Sequence, residues 1–412
     1  MKILSLFSGV GGLDNAVETL LGAETAILCE RDEYARRVLA RHWPGVPCVE
    51  DVHTIGDVGA DVICGGPPCQ DVSVAGKQAA EKGTRWLWPE AVRVTAANRP
   101  RLCLWENVPG LLTADGGRAF AGVLREFDAI GYATRWDHCE AAAAGAPHPR
   151  DRVFLVCVPV DRFTAPGPVQ GRPVSMFGHA DEPTWPRAGW YSAGRWGVER
   201  VRFPKGRAAV AWPTPTAGDA EGGRTTTGGR DIPTSLNMAA RSVATDVLSP
   251  PLFAFAASDS GYIDPSPQRA DSGKWPTPRA SEGEKGVGPL GSASHVHHVA
   301  HGYLEATKST GALNPEFSGW LMGFPATWTE PTGPALPHVA AGWTDCELVY
   351  YGGRPAPAGM ALLTTVKQDR RNRLKCLGNA VVARCAILAL RSLLADQVAM
   401  FAPRDRALAE VG

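Results

Sequence analysis

The chain has 412 residues, 44% of them hydrophobic, with 42 Lys+Arg against 42 Asp+Glu, a length that allows two to three domains with a real core. Gly 46 and Pro 34 signal many loops but stay below the level of a disordered or collagen-like chain. No uninterrupted apolar run reaches the roughly 18 residues of a membrane-spanning helix, and Asp14 and Glu18 break the one stretch that could imitate a signal peptide, so a cytoplasmic protein without membrane contact is expected. Ten cysteines without a CxxC pair argue against a zinc finger or a disulfide scaffold.

In chain order, the first 160 residues alternate between apolar runs and helix-like runs: KILSLFSG, LDNAVETLL, TAILCE, RDEYARRVLARHW, ADVICGG, WPEAVRVTAAN and PRLCLWENV. That alternation predicts a parallel, doubly wound sheet covered on both faces. After a further helix, GRAFAGVLREFDAIG, the runs YATRWDHCEA and DRVFLVCVPV stand close enough to pair as an antiparallel hairpin at the sheet edge. From about 161 to 311 the pattern gives way to Pro, Gly, Trp and Arg, predicting a loop-rich second domain. A patterned region from 312 to 412 then ends in an amphipathic helix of about 20 residues and completes the first domain.

Zero net charge counts against a nucleic-acid partner only until it is split along the chain. Residues 1–160 hold 16 Lys+Arg against 20 Asp+Glu, which leaves the rest basic. Arg187, Arg195, Arg200, Arg202, Lys205 and Arg207 interleave with Trp185, Trp190, Trp196 and Trp212. The run suits phosphate contacts backed by aromatic surfaces, and equally a charged face over a Trp-rich core.

Phe7-Ser8-Gly9-Val10-Gly11-Gly12 sits where the first strand turns into the first helix, and its glycines let backbone amides approach a ligand. Glu30, at the end of the second strand, is placed to grip ribose hydroxyls, and Asp51 to accept from an adenine amine. Either carboxylate also fits a helix N-terminus. The fourth strand runs into Gly65-Gly66-Pro67-Pro68-Cys69-Gln70, so Cys69 stands on a stiff loop at the carboxyl end of the sheet, as a directed nucleophile requires. The next strand delivers Glu106 and Asn107 to the same edge, and its apolar flank desolvates the carboxyl so that it can donate as well as accept a proton. Arg150 and Arg152, before the last strand, supply positive charge for a Cys69 thiolate or a base oxygen.

In order, LSLFSGVGG, CERDEYA, GGPPCQDVSVAG, ENVPGLL, PHPRDRVFLV and LGNAVV resemble the DNA cytosine-5 methyltransferase family over about 1–160 and 312–392. The resemblance implies a Rossmann-like S-adenosylmethionine-dependent methyltransferase fold, with 161–311 as the target-recognition domain and Cys69, Glu106, Arg150 and Arg152 as catalytic residues. It implies S-adenosylmethionine held by Phe7, Gly9, Val10, Gly11, Gly12, Glu30, Arg31, Asp51, Val52, Gly66, Pro68, Leu87, Asn379, Ala380 and Val381, with S-adenosylhomocysteine as product and no metal. Duplex DNA, met by Gln70, Ser73 and the basic run, is the implied partner of a monomeric enzyme, alongside a cognate restriction endonuclease. His148 stands where a Gln is common, and NPEFSGWLMGFP lacks the usual Glu-x-x-Arg pair. A tRNA methyltransferase and a catalytically silent DNA-binding relative are the alternatives. A nicotinamide dehydrogenase fits worst, because the glycine spacing is not GxGxxG. The histidines from His295 to His301 lack carboxylate or cysteine partners nearby, so a polar turn outweighs a metal site.

Overall fold

The computed structural model describes residues 1–68, 86–166, 185–199, 215, 217, 312–337, 348–351 and 354–395. Strands β1 (Lys2–Leu6), β2 (Glu24–Cys29), β3 (Cys48–Val49), β4 (Val62–Gly65) and β5 (Leu102–Asn107) form a parallel half-sheet in the order β3-β2-β1-β4-β5. Helices α1 (Gly12–Leu21), α2 (Glu33–His42), α3 (Trp88–Asn98) and α4 (Arg118–Ala129) connect or follow these strands. Their ends carry local signals: Asp32 caps α2 by accepting from the Ala35 N–H at 3.1 Å, Pro89 occupies the first turn of α3, and left-handed Gly22 closes α1.

Side chains alternate across the sheet with period two. Ile3, Val62, Cys64, Leu102 and Leu104 join the core under α1 and α2, while Leu4, Leu6, Ile63, Cys103 and Trp105 join the core under α3 and α4. Order reverses between β1 and β4, which makes their carboxyl ends the crevice of a doubly wound sheet.

The expected antiparallel pair forms as β6 (Tyr132–Glu140) and β7 (Asp151–Pro159), with β7 inserted between β5 and β6. It is not the edge of the sheet. Strands β8 (Gly189–Ser192) and β9 (Arg195–Val198) add to β6, so part of the segment read as loop-rich extends the first sheet. Trp185 and Trp190 are buried there, and the Trp185 indole donates to the Gly117 carbonyl at 2.9 Å. For these tryptophans the core reading holds.

Two small sheets pair β10 (Ala312–Leu313) with β13 (Leu363–Thr364) and β11 (Leu348–Tyr351) with β12 (Arg354–Pro357). Helix α5 (Pro315–Leu321) follows β10. Near the C-terminus, the described residues form two helices, α6 (Arg370–Asn379) and α7 (Ala383–Leu394), the second falling where the amphipathic helix was expected, with 396–412 outside the described residues. The two helices are separated by extended backbone at Ala380 (ψ 155°) and Val382 (ψ 105°). Arg150 takes the Gly378 and Ala380 carbonyls, and β-branched Val381 and Val382 favour extended backbone. By length and composition Arg370–Leu394 is apolar enough to cross a membrane. In the fold the stretch is broken, and α7 packs on α1, β6 and β7.

Candidate active site

The glycine loop leaves β1 through three left-handed residues, Phe7 (φ 56°), Gly9 (φ 59°) and Gly11 (φ 81°). Glu30 braces it: one carboxylate oxygen accepts from the Gly9 N–H at 2.8 Å and the other from the Asp32 N–H at 2.7 Å. Burial pushes the Glu30 carboxyl above its usual range despite these amides. From behind, the Trp328 indole donates to the Val10 carbonyl at 2.9 Å, and His42 stacks on Trp328 with centroids 3.8 Å apart. A Cβ on Gly11 would fall 2.1 Å from the Trp43 ring, and one on Gly12 2.3 Å from the Val381 carbonyl oxygen. Both glycines are therefore demanded by packing as well as by the turn.

At the end of β4, a Cβ on Gly65 would lie 2.4 Å from the Leu6 carbonyl, so only glycine lets β1 and β4 close here. Asn107 anchors the following turn, donating through Nδ2 to the Pro67 carbonyl at 3.2 Å and accepting from the Val108 N–H at 2.8 Å. The chain then enters Cys69, Gln70 and Ser73, which lie outside the described residues. Glu106, 9% exposed, pairs with Arg152, whose Nε stands 2.8 Å from Oε1. Its Oε2 faces Gly66, where a Cβ would be 3.2 Å away.

A single cleft gathers Phe7, Gly9, Val10, Gly12, Gly66, Glu106, Asn379, Ala380 and Val381. Ser5, Leu6, Ser8, Leu13, Asp14 and Gly65 line it too; Ser8 and Gly65 stand within the sequence motifs but had no cofactor role there, and the others had not been singled out as site residues. Gly11 faces Trp43. Asp51 is exposed and caps a 3₁₀ turn by accepting from the His53 N–H at 3.0 Å and facing its Nδ1 at 2.6 Å. The His53 contacts hold that carboxyl below its usual range. Arg31 is exposed, Val52 packs in the core under α3, and Leu87 precedes α3, all apart from the cleft lining; Pro68 is half-buried just beyond it.

Arg150 departs from its expected catalytic place. It is 3% exposed, and its guanidinium donates to the carbonyls of Pro215 (3.2 Å), Gly378 (3.1 Å) and Ala380 (2.7 Å). Burial pushes its pKa down to about 9, which leaves it charged at neutral pH. His148 is fully buried, donates to the Leu321 carbonyl at 2.8 Å, and is held neutral by burial with a pKa of about 3. Arg195 is exposed on β9, while Arg200, Arg202, Lys205, Arg207 and the 295–301 histidines lie outside the described residues. The partners of the glycine loop, Trp43 and Trp328, carried no signal in the sequence, because they lie 32 residues from Gly11 and 318 residues from Val10 along the chain.

Residues 1–175 match the family model for C-5 cytosine-specific DNA methylase. The Type II methyltransferase M2.BsuMI of Bacillus subtilis (strain 168) is 35% identical over 162 residues, 38% of this chain and 41% of that protein. M.AquIA of Picosynechococcus sp. is 29% identical over 209 residues, 44% of this chain and 84% of that protein. The alignments thus span about two fifths of the length of relatives such as M2.BsuMI. A solved structure of Spodoptera frugiperda DNMT2 aligns over 95% of this chain and 99% of its own at 16% identity, with a TM-score of 0.45. The family-model match spans strands β1 to β7 together with the glycine loop and Glu106, and so what the chain shares with the C-5 cytosine-specific DNA methylases is this segment.

Proposed function

We propose that the chain is a sequence-specific DNA cytosine-5 methyltransferase working through a covalent Cys69 adduct. One observation carries the reading. At the β1/β4 switch point the glycine loop, Gly66, the Asn379–Val381 segment and an arginine-paired Glu106 meet in one cleft, beside the turn that leads directly into Cys69.

The cleft fits S-adenosylmethionine. Nothing stands within 4 Å of where a Gly9 Cβ would be, so a ligand can approach this backbone closely, and Glu30 keeps lone pairs for ribose hydroxyls. Phe7, Gly9, Val10, Gly66, Asn379 and Val381 would hold the cofactor, which supplies an electrophilic methyl group.

A cytosine ring carbon is too weakly nucleophilic to accept that group unaided. The Cys69 thiolate forms a bond to carbon 6, and electron density moves toward carbon 5. Glu106 hydrogen-bonds the ring nitrogen and the amino group, and Arg152 fixes its carboxylate. Carbon 5 then takes the methyl group as the methyl–sulfur bond breaks, leaving S-adenosylhomocysteine, and loss of the carbon 5 proton to a base with expulsion of the Cys69 thiolate restores the ring. A stacked base cannot reach these groups, so the target is flipped from the duplex at a cost of a few kcal/mol. The basic, Trp-rich segment after 161 reads the flanking sequence, in a restriction-modification or phage self-protection setting with a cognate endonuclease.

Transfer of labelled methyl from S-adenosylmethionine to duplex DNA, with tRNA as competitor, tests the activity. Cys69→Ala should abolish transfer while leaving S-adenosylhomocysteine binding intact; transfer persisting in that variant overturns the covalent step.

A further inference from the structure

Three alternate residues, two just before β7 and one within it, point to three different parts of the fold. His148 holds Leu321 at the end of α5, Arg150 holds Pro215 together with Gly378 and Ala380, and Arg152 holds Glu106. Arg150 is unlike its neighbours in joining two chain segments through one buried guanidinium. Gly378 and Ala380 flank Asn379 in the cleft wall, and Pro215 lies in the block between the two parts of the first domain. A planar guanidinium with a fixed fork of donors cannot move away from one carbonyl without tilting away from the others. Its Nε has no hydrogen-bond partner, so the three carbonyl contacts account for its bonding.

We propose that Arg150 is a positioning residue that couples the cofactor-cleft wall to Pro215 in the recognition block, so that filling the cleft strengthens the hold on the Pro215 carbonyl and engagement of that block tightens the cleft. Coupling of this kind is reciprocal. It rests on the reading of the cleft as a site for S-adenosylmethionine and its product.

Hydrogen exchange of the full chain with and without S-adenosylhomocysteine tests it, since that readout needs neither DNA nor turnover. In the wild type, the ligand should slow exchange in the peptide covering 212–218 as well as in those covering the glycine loop and 376–382. In Arg150→Met the ligand should bind about tenfold more weakly, as expected for losing charge-assisted hydrogen bonds. At saturating ligand the glycine-loop protection should return while protection of 212–218 does not. Arg150→Lys, which keeps the charge and some donors, should recover part of it and serves as the folded control if Met destabilises the chain. Equal ligand-induced protection of 212–218 in wild type and Arg150→Met, or none in a wild type that binds the ligand, overturns the coupling. Failure of the wild type to bind S-adenosylhomocysteine at all instead overturns the cofactor reading.

Discussion

Gly12 has no side chain to contribute, yet it decides how two distant segments meet, because a Cβ there would stand 2.3 Å from the Val381 carbonyl oxygen. Gly12→Ala must push the 380–382 segment outward. It should weaken S-adenosylhomocysteine binding in calorimetry and lower stability by about 1–3 kcal/mol, the usual cost of overpacking; an unchanged affinity would contradict this packing. His148 makes a second prediction. Its folded pKa of about 3 lies below the unfolded value near 6.5, so below pH 6.5 the unfolded chain takes up a proton that the native state refuses. The stability held by neutral His148 is present above pH 6.5 and declines as pH falls toward 3. In urea unfolding, wild type should lose about 1.5 kcal/mol more than His148→Gln between pH 6.5 and 5.0. Parallel pH profiles for the two proteins would contradict it. At this scale the sequence showed which residue types stand at strand ends, and Glu106, Gly66 and Asn379 line one cleft. It did not show that Arg150 faces carbonyls, because a strand's alternation fixes the face of a side chain and not its partner.

At the scale of elements, β8 and β9 are the main departure. Four-residue strands whose buried positions are Gly189, Trp190, Tyr191 and Gly197 carry little periodicity, so the sequence alone cannot separate them from a loop. The fold recruits them through Arg135 of β6, which pairs with Glu199 just past β9 at 2.8 Å and donates to the Leu393 carbonyl of α7 at 2.6 Å. The two side chains are 1% and 6% exposed. Glu199→Ala leaves a buried guanidinium short of its carboxylate and should cost about 3–5 kcal/mol, read as a drop in the denaturation midpoint of the whole sheet. A loss under 1 kcal/mol would mean that β9 is not integral to it. The break between α6 and α7 has the same character: two adjacent valines favour extended backbone only weakly, and the two carbonyls captured by Arg150 fix the break.

For the whole molecule, the sheet hides its thiols. Eight of the ten cysteines are described, all free, and seven of them are buried. Burial pushes Cys29, Cys157 and Cys376 up to about 12 and Cys64 and Cys103 well above the usual thiol range, which keeps them protonated and unreactive. A native thiol titration near pH 7.5 should therefore find at most three fast thiols, drawn from half-buried Cys48 and from Cys69 and Cys346 outside the described residues, one fewer in Cys69→Ser if Cys69 is among them, and all ten in denaturant. More than three fast thiols would contradict the packing of the sheet. By itself the sequence determined the doubly wound half-sheet and the order in which a glycine loop, a Pro-Pro-Cys turn and a carboxylate reach its carboxyl edge, because period, breakers and turn residues act over a few neighbours. Only the tertiary structure decided what holds them in place: Trp328 on Val10, Val381 against Gly12, Arg152 on Glu106 and Arg150 on Ala380. Such contacts depend on where segments tens to hundreds of residues apart meet in space, and no local pattern encodes that.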